Sequence, residues 1–162
     1  MPIINTNRKA TYDYEILDRY EAGLVLFGYE VKSVKTGHVS LKGAYVTIKT
    51  GRKKLPEIYL INAHIPLYAK ASTITHYDPT RPRKLLLKKK QIEHLLGKKK
   101  EQGLTLVPTK IYTKRSLVKL EFAVGKGKKK IDKRESIKKR EVDRNIRSLT
   151  KMKYQSWIII QF

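Results

Sequence analysis

The 162-residue chain has no cysteine, which excludes disulfides and thiolate metal sites. Acidic residues are scarce: 14 Asp and Glu face 37 Lys and Arg, for a formal net charge of +23. No apolar run approaches the ~20 residues that cross a bilayer, and no apolar stretch follows the first basic residues as a secretory leader requires. An intracellular, cytoplasmic protein without a membrane partner is the expectation. Enzyme motifs are missing too. Gly125 and Gly127 precede lysines but lack the spacing and hydroxyl of a phosphate-binding loop, and neither G-x-S-x-G nor H-E-x-x-H occurs. His38, His64, His76 and His94 stand far apart without ligand spacing. No catalytic group, metal or cofactor is expected, and the histidines read as structural.

What is present is a core and a large excess of positive charge. Hydrophobic residues make up 40% of the chain, too many for a wholly disordered polycation. The charge concentrates at Arg8-Lys9, Arg52-Lys53-Lys54, Arg81–Lys84 with Lys88–Lys90, and above all from Gly125 to Arg140, GKGKKKIDKRESIKKR. From Lys126 to Lys153 there are 13 Lys and Arg against four Asp and Glu, a local net of 13 − 4 = +9. A folded core needs no such segment and the whole chain repels itself by carrying it, so a polyanion, most economically RNA, is the expected partner. Ten tyrosines offer stacking surfaces and phosphate hydrogen bonds, although barrel packing is the commoner role for tyrosine in a strand.

The hydropathy pattern predicts a mainly β domain. Met1–Asn7 reads as a polar arm, and Tyr12–Phe27 as extended structure from its alternation. Val31 and Val34 mark a short helix over Tyr29–Lys35 that ends at Gly37. Ala44–Thr50 and the alternation around Ile58 and Leu60 form a hairpin across the Gly51–Lys54 turn. Two prolines make Asp78–Arg83 irregular. Ile92, Leu95 and Leu96 make one helical stripe, with Gly103 as the stop. Leu104–Thr113 and Leu117–Val124 read as strands joined at Lys114-Arg115, with an edge or bulge at Pro108. Strands joined by short turns point to a small antiparallel barrel capped by helices. Residues 1–125 form this domain and 126–162 a basic tail, disordered when free and helical when bound, because Ile137, Val142, Ile146 and Leu149 give only a weak stripe.

Several segments, in order, resemble the SsrA-binding protein (small protein B) family, the bacterial partner of transfer-messenger RNA. They are Asn7-Arg8-Lys9-Ala10, Tyr20-Glu21-Ala22-Gly23-Leu24, Gly28-Tyr29-Glu30-Val31-Lys32-Ser33, the string from Asp78 to Leu87 (DPTRPRKLLL), and Gly125–Lys129 leading into Asp132-Lys133-Arg134. The resemblance implies a six-stranded barrel of the oligonucleotide-binding type, with helices alongside. It further implies that such a protein binds the tRNA-like domain of transfer-messenger RNA and delivers it to stalled ribosomes for trans-translation. The tail would sense an empty message channel near the decoding centre.

Carried over by position, Asn7, Glu21, Leu86 and Lys119 match family positions tied to RNA binding, and Arg8, Lys9, Lys126 and Lys128 lie in the matching segments. Arg81, Arg83 and Lys84 would supply phosphate contacts. Glu21 would accept a hydrogen bond from a base or 2′-hydroxyl, or orient a nearby arginine. Asp132, Lys133, Arg134, Ile137, Lys138 and Arg140 match the ribosome-binding tail. Val142 stands where the family often has an aromatic residue, and the apolar end Ser156–Phe162 reads as a divergent extension. A monomer is expected. The class alternatives are a basic ribosomal structural protein and a nuclease or RNA-modifying enzyme.

Overall fold

The computed structural model describes residues 2–50, 56–71, 74, 76–99 and 103–128. Among them run seven strands and three helices in the order β1 (Ile3–Thr6), α1 (Arg8–Asp13), β2 (Tyr14–Leu24), α2 (Gly28–Lys35), β3 (Tyr45–Lys49), β4 (Glu57–Ile61), β5 (Arg83–Leu86), α3 (Lys89–Lys99), β6 (Leu104–Lys114) and β7 (Leu117–Gly127). Strands β6, β3, β4, β5, β2 and β7 pair in sequence, and β7 returns to β6. Every registered pair is antiparallel. This closed ring of six is the small barrel the alternation pointed to, and closure removes the exposed edges of an open sheet. The chain divides into two units, Met1–Gly127 and Lys128–Phe162. The barrel lies in the first, with β7 running on to Gly127.

The barrel interior is filled by every second residue of its strands. Val46 and Ile48, Ile58 and Leu60, Ala22 and Leu24, and Val118, Leu120, Phe122 and Val124 are all buried in one cluster. α2 adds Val34 and α3 adds Leu95, each fully buried, so the helices close over the same core. The β6–β7 hairpin turns at Arg115-Ser116, one residue later than expected, because Lys114 pairs with Leu117. Both turn residues have positive φ, 48° and 66°, the backbone hand that matches a twisted hairpin. Pro108 sits at a bulge, where the β6–β7 register shifts before Lys110.

Three expectations need correction. The stretch read as a polar arm contains a strand: Ile3–Thr6 pairs with β6 outside the ring, and Asn5 Nδ2 donates to Val39 O at 2.8 Å. Tyr12 and Asp13 are helical rather than extended, because the Asn7 side chain accepts from the Ala10 amide and caps α1. Finally, Arg83–Leu86 is a strand hidden behind the prolines, inserted between β4 and β2. The Gly51–Lys54 turn lies outside the described residues. Among the described residues no helix is long and apolar enough to cross a membrane, and no three His, Asp or Glu converge as metal ligands.

Candidate nucleic-acid interface

Cross-strand register assembles one surface on the outside of the barrel. Gly23 of β2 pairs with Leu86 of β5 on one side and with Lys119 of β7 on the other. Lys119 pairs in turn with Tyr112 of β6, and Tyr112 with Ile3 of β1. Residues opposite one another in antiparallel strands project to the same side, so Leu86, Gly23, Lys119, Tyr112 and Ile3 form a row across five strands. Leu86 is 55% exposed. A side chain on Gly23 would begin 3.4 Å from Leu86 Cβ, so glycine keeps a gap beside that leucine.

Glu21 stands two residues before Gly23 on the same face. Lys119 Nζ donates to its Oε1 and the Tyr112 hydroxyl to its Oε2. These bonds, from Lys119 first and then Tyr112, hold the Glu21 carboxyl below its ordinary pKa. Burial and the hydrogen bond to Glu21 raise that of Tyr112. Directly opposite Glu21 is Glu121, a like-charge pairing that is unfavourable by itself. It is offset by Arg19 and Lys110, each 2.8 Å from Glu121. The result is a surface of acceptors and donors in which each carboxylate is already ionised and oriented. A base edge or a 2′-hydroxyl offers the partners such a surface takes.

The basic loop is built differently from the expectation. Arg83 is wholly buried and cannot touch a phosphate. Its Nε and Nη2 donate to Glu30 Oε1 at 3.0 and 2.9 Å, Nη2 donates also to the Pro79 carbonyl, and Nη1 donates to the carbonyls of Ala63 and Arg81. It sits in β5 with its side chain inward, so the alternation of the unforeseen strand explains its burial. Arg81 also binds Glu30, through Nε at 2.9 Å and Nη2 at 2.5 Å, but remains 24% exposed. Lys84 points outward and pairs with Glu57 at 2.5 Å.

Glu30 is the centre of this loop, and nothing in the sequence pattern singles it out. It is the third residue of α2, where an acid reaches back to the amide before the helix, and it accepts from Phe27 N at 2.9 Å. Burial opposes its charge, but Arg81, the Phe27 amide and Arg83 hold its carboxyl below the ordinary range. The Tyr77 hydroxyl joins the cluster, with its pKa pushed up to about 12 by burial and by the Glu30 charge. Tyr112 is a second site residue that the sequence does not mark, since a strand tyrosine reads as packing. Only the register places its hydroxyl on Glu21.

The other candidates are dispersed. Asn7 is half-buried; besides capping α1, its amide nitrogen donates to Pro108 O at 3.0 Å, so it braces α1 against β6. Arg8 and Lys9 are exposed on α1, and Lys126 is exposed near the end of β7 opposite Glu15. Lys128, the last described residue, belongs to the second unit. Asp132, Lys133, Arg134, Ile137, Lys138 and Arg140 lie outside the described residues. Among the histidines, Thr36 and His38 share a hydrogen bond of 2.9 Å, and His94 lies 6.4 Å from the Tyr20 ring.

Known proteins resemble this chain in sequence and in structure. The family model described as "SmpB protein" matches residues 4–152. An SsrA-binding protein of Thermosipho melanesiensis is 55% identical over 152 residues, 93% of this chain and 99% of that protein. One from Enterococcus faecalis is 48% identical over 144 residues, 89% of this chain and 90% of that protein. A solved structure described as "tmRNA-SmpB: a journey to the center of the bacterial ribosome" is similar with a TM-score of 0.63 and 42% identity, over 85% of this chain and 95% of that one. With a family model spanning nearly the whole sequence and relatives this similar along almost their full length, the chain belongs to the SmpB protein family.

Proposed function

We propose that the protein binds the tRNA-like domain of transfer-messenger RNA and carries it to stalled ribosomes for trans-translation. It works in the cytoplasm as an adaptor rather than an enzyme. The observation that carries this reading is the row Leu86–Gly23–Lys119–Tyr112 with Glu21 beside it, which offers an oriented acceptor, a cation and an apolar contact on one face. Relatives named SsrA-binding protein and the structural neighbour with tmRNA in its description support the partner. Arg8, Lys9, Arg81, Lys84, Lys126 and Lys128 add positive charge for phosphate, and residues 126–162 act on the ribosome, with Asp132, Lys133, Arg134, Ile137, Lys138 and Arg140 in the message channel.

The test is co-purification of RNA with the full chain from cells, followed by sequencing. One dominant structured transcript is expected, and bulk tRNA or rRNA in its place would overturn the reading. With ~6–10 phosphates neutralised, affinity falls about 10³–10⁵-fold between 50 and 200 mM salt. Ending the chain after Lys130 should keep RNA binding and abolish tagging of incomplete polypeptides. Loss of RNA binding on truncation would refute that division of labour.

A further inference from the structure

The outward face of β2 does not end at Gly23. Glu21, Val25 and Phe27 are exposed while Ala22 and Leu24 are buried and Leu26 packs on the core, so the two-residue alternation continues past the last strand residue. The Val25 amide donates to Lys84 O at 3.0 Å, which keeps this extension on the β5 side of the barrel, beside Leu86. From Glu21 to Phe27 is six residues of extended chain, roughly 20 Å. That is a path for a few unpaired nucleotides.

At its far end the path meets an aromatic–cation pair. Phe27 is 50% exposed, and Arg81 Cζ lies 4.2 Å from its ring centroid. The pair is fixed from behind. Glu30 holds the Arg81 guanidinium through two nitrogens and accepts from the Phe27 amide at 2.9 Å. Tyr29 stacks on Phe27 at 5.3 Å and meets Tyr77 edge-on at 5.4 Å. Glu30 faces two guanidiniums with one negative charge, so one positive charge is in excess. Arg83 is sealed inside, and the excess is presented through the partly exposed Arg81.

A half-exposed phenylalanine with a fixed guanidinium beside it makes a surface that favours a π-faced, electron-rich occupant. We propose that Phe27 and Arg81 form a stacking platform for an unpaired base of the RNA whose backbone passes Glu21, Leu86 and Lys119. This rests on the proposed function and extends it: Arg81 acts through its plane, and Phe27, which no sequence motif marks, becomes a contact. The platform is sequence-tolerant, because every base has a π face, so it adds affinity and sets how the strand leaves the barrel.

The experiment measures binding of the full-length protein to the tRNA-like domain of transfer-messenger RNA, with bulk tRNA as competitor, across a salt series. Phe27→Ala and Phe27→Leu should each weaken binding about 5- to 100-fold and leave the salt slope unchanged, because no phosphate contact is lost. Phe27→Trp should bind at least as tightly as the parent chain. Phe27→Leu keeps apolar bulk, so full affinity in that variant would mean ordinary packing and overturn the proposal. A loss accompanied by a slope lower by about one ion would also overturn it, since Phe27 would then only steady Arg81 for a phosphate. Normal RNA binding with weakened ribosome association would assign the face to a ribosomal partner and overturn it as well. A parent chain with no preference for this RNA over bulk tRNA would defeat the proposed function itself, a distinguishable outcome. A photo-crosslinking p-benzoylphenylalanine at position 27 gives a second reading: adducts to an unpaired nucleotide are expected, and none at 27 alongside adducts at position 86 would refute the platform.

Discussion

Glu30 and Glu21 are each held by cations and a tyrosine hydroxyl, yet the two clusters do opposite things. Glu30, fully buried, takes Arg81, Arg83 and Tyr77. Glu21, with 41% of its side chain exposed, takes Lys119 and Tyr112. The buried cluster uses arginine, whose rigid fork can satisfy a carboxylate and several carbonyls at once. The exposed one uses lysine, a single mobile charge that can let go. Removing the buried cluster from water is costly, and only a full set of hydrogen bonds offsets that. Glu30, Arg83 and Tyr77 are therefore committed to the fold, and Arg81 alone of the cluster keeps an exposed edge. The exposed cluster costs little to form and little to break, so a partner can take over its bonds. Depth in the barrel, more than residue type, separates the scaffold from the proposed binding face.

The sharpest way to break this contrast is to neutralise each glutamate in turn. Glu30→Gln leaves Arg83 charged and buried without its counter-ion, and should cost about 3–5 kcal/mol in urea unfolding. The same change at Glu21 should move stability by less than about 0.5 kcal/mol while weakening RNA binding severalfold. Equal stability losses in the two variants would remove the distinction. The acid limb gives an independent reading. The Glu30 carboxyl is held below its ordinary 4.5, so its contribution is complete above that pH. It is lost as pH falls through the lowered native value. Below pH 4.5 the parent chain should therefore lose stability more steeply than Glu30→Gln, and parallel curves would show that Glu30 is not the charge involved.

How much of this is legible in the sequence follows the same division. Alternation in β3, β4 and β7 is clear because one face is apolar throughout, and Val31 with Val34 marks α2 for the same reason. β5 is obscured because one of its two inward residues is Arg83, a charge in a position where hydropathy expects an aliphatic side chain like Leu85. Glu30 is hidden in the same way, since a buried acid looks like a surface one until its partners are brought to it from residues 77–83. β1 is four residues long, and its pairing with β6 spans more than a hundred positions, beyond any local pattern. Among the candidate site residues, Glu21, Leu86 and Lys119 come from motif resemblance, and the structure adds where they stand: all three border Gly23. Arg83 comes from the same source and is wrong as a phosphate contact, because the motif records that the residue is there and not which way it points.

The finest test removes one oxygen from each cluster. The Tyr77 hydroxyl donates to Ile65 O at 2.7 Å, lies 3.1 Å from Glu30 and accepts from Arg83 at 3.2 Å. Tyr77→Phe leaves those buried groups short of a partner, and should cost about 1–3 kcal/mol in urea unfolding. The Tyr112 hydroxyl serves a carboxylate that water can also reach, so Tyr112→Phe should cost no more than about 1 kcal/mol. Its effect belongs to binding instead. Glu21 would lose one of the two bonds that hold its carboxyl low, so its pKa, followed by NMR titration, should rise toward the ordinary value. RNA affinity should fall less than in Glu21→Gln, because Lys119 still fixes the other oxygen. If Tyr112→Phe destabilised the barrel as much as Tyr77→Phe, the exposed cluster would be part of the scaffold after all, and depth would not be what separates the two glutamates.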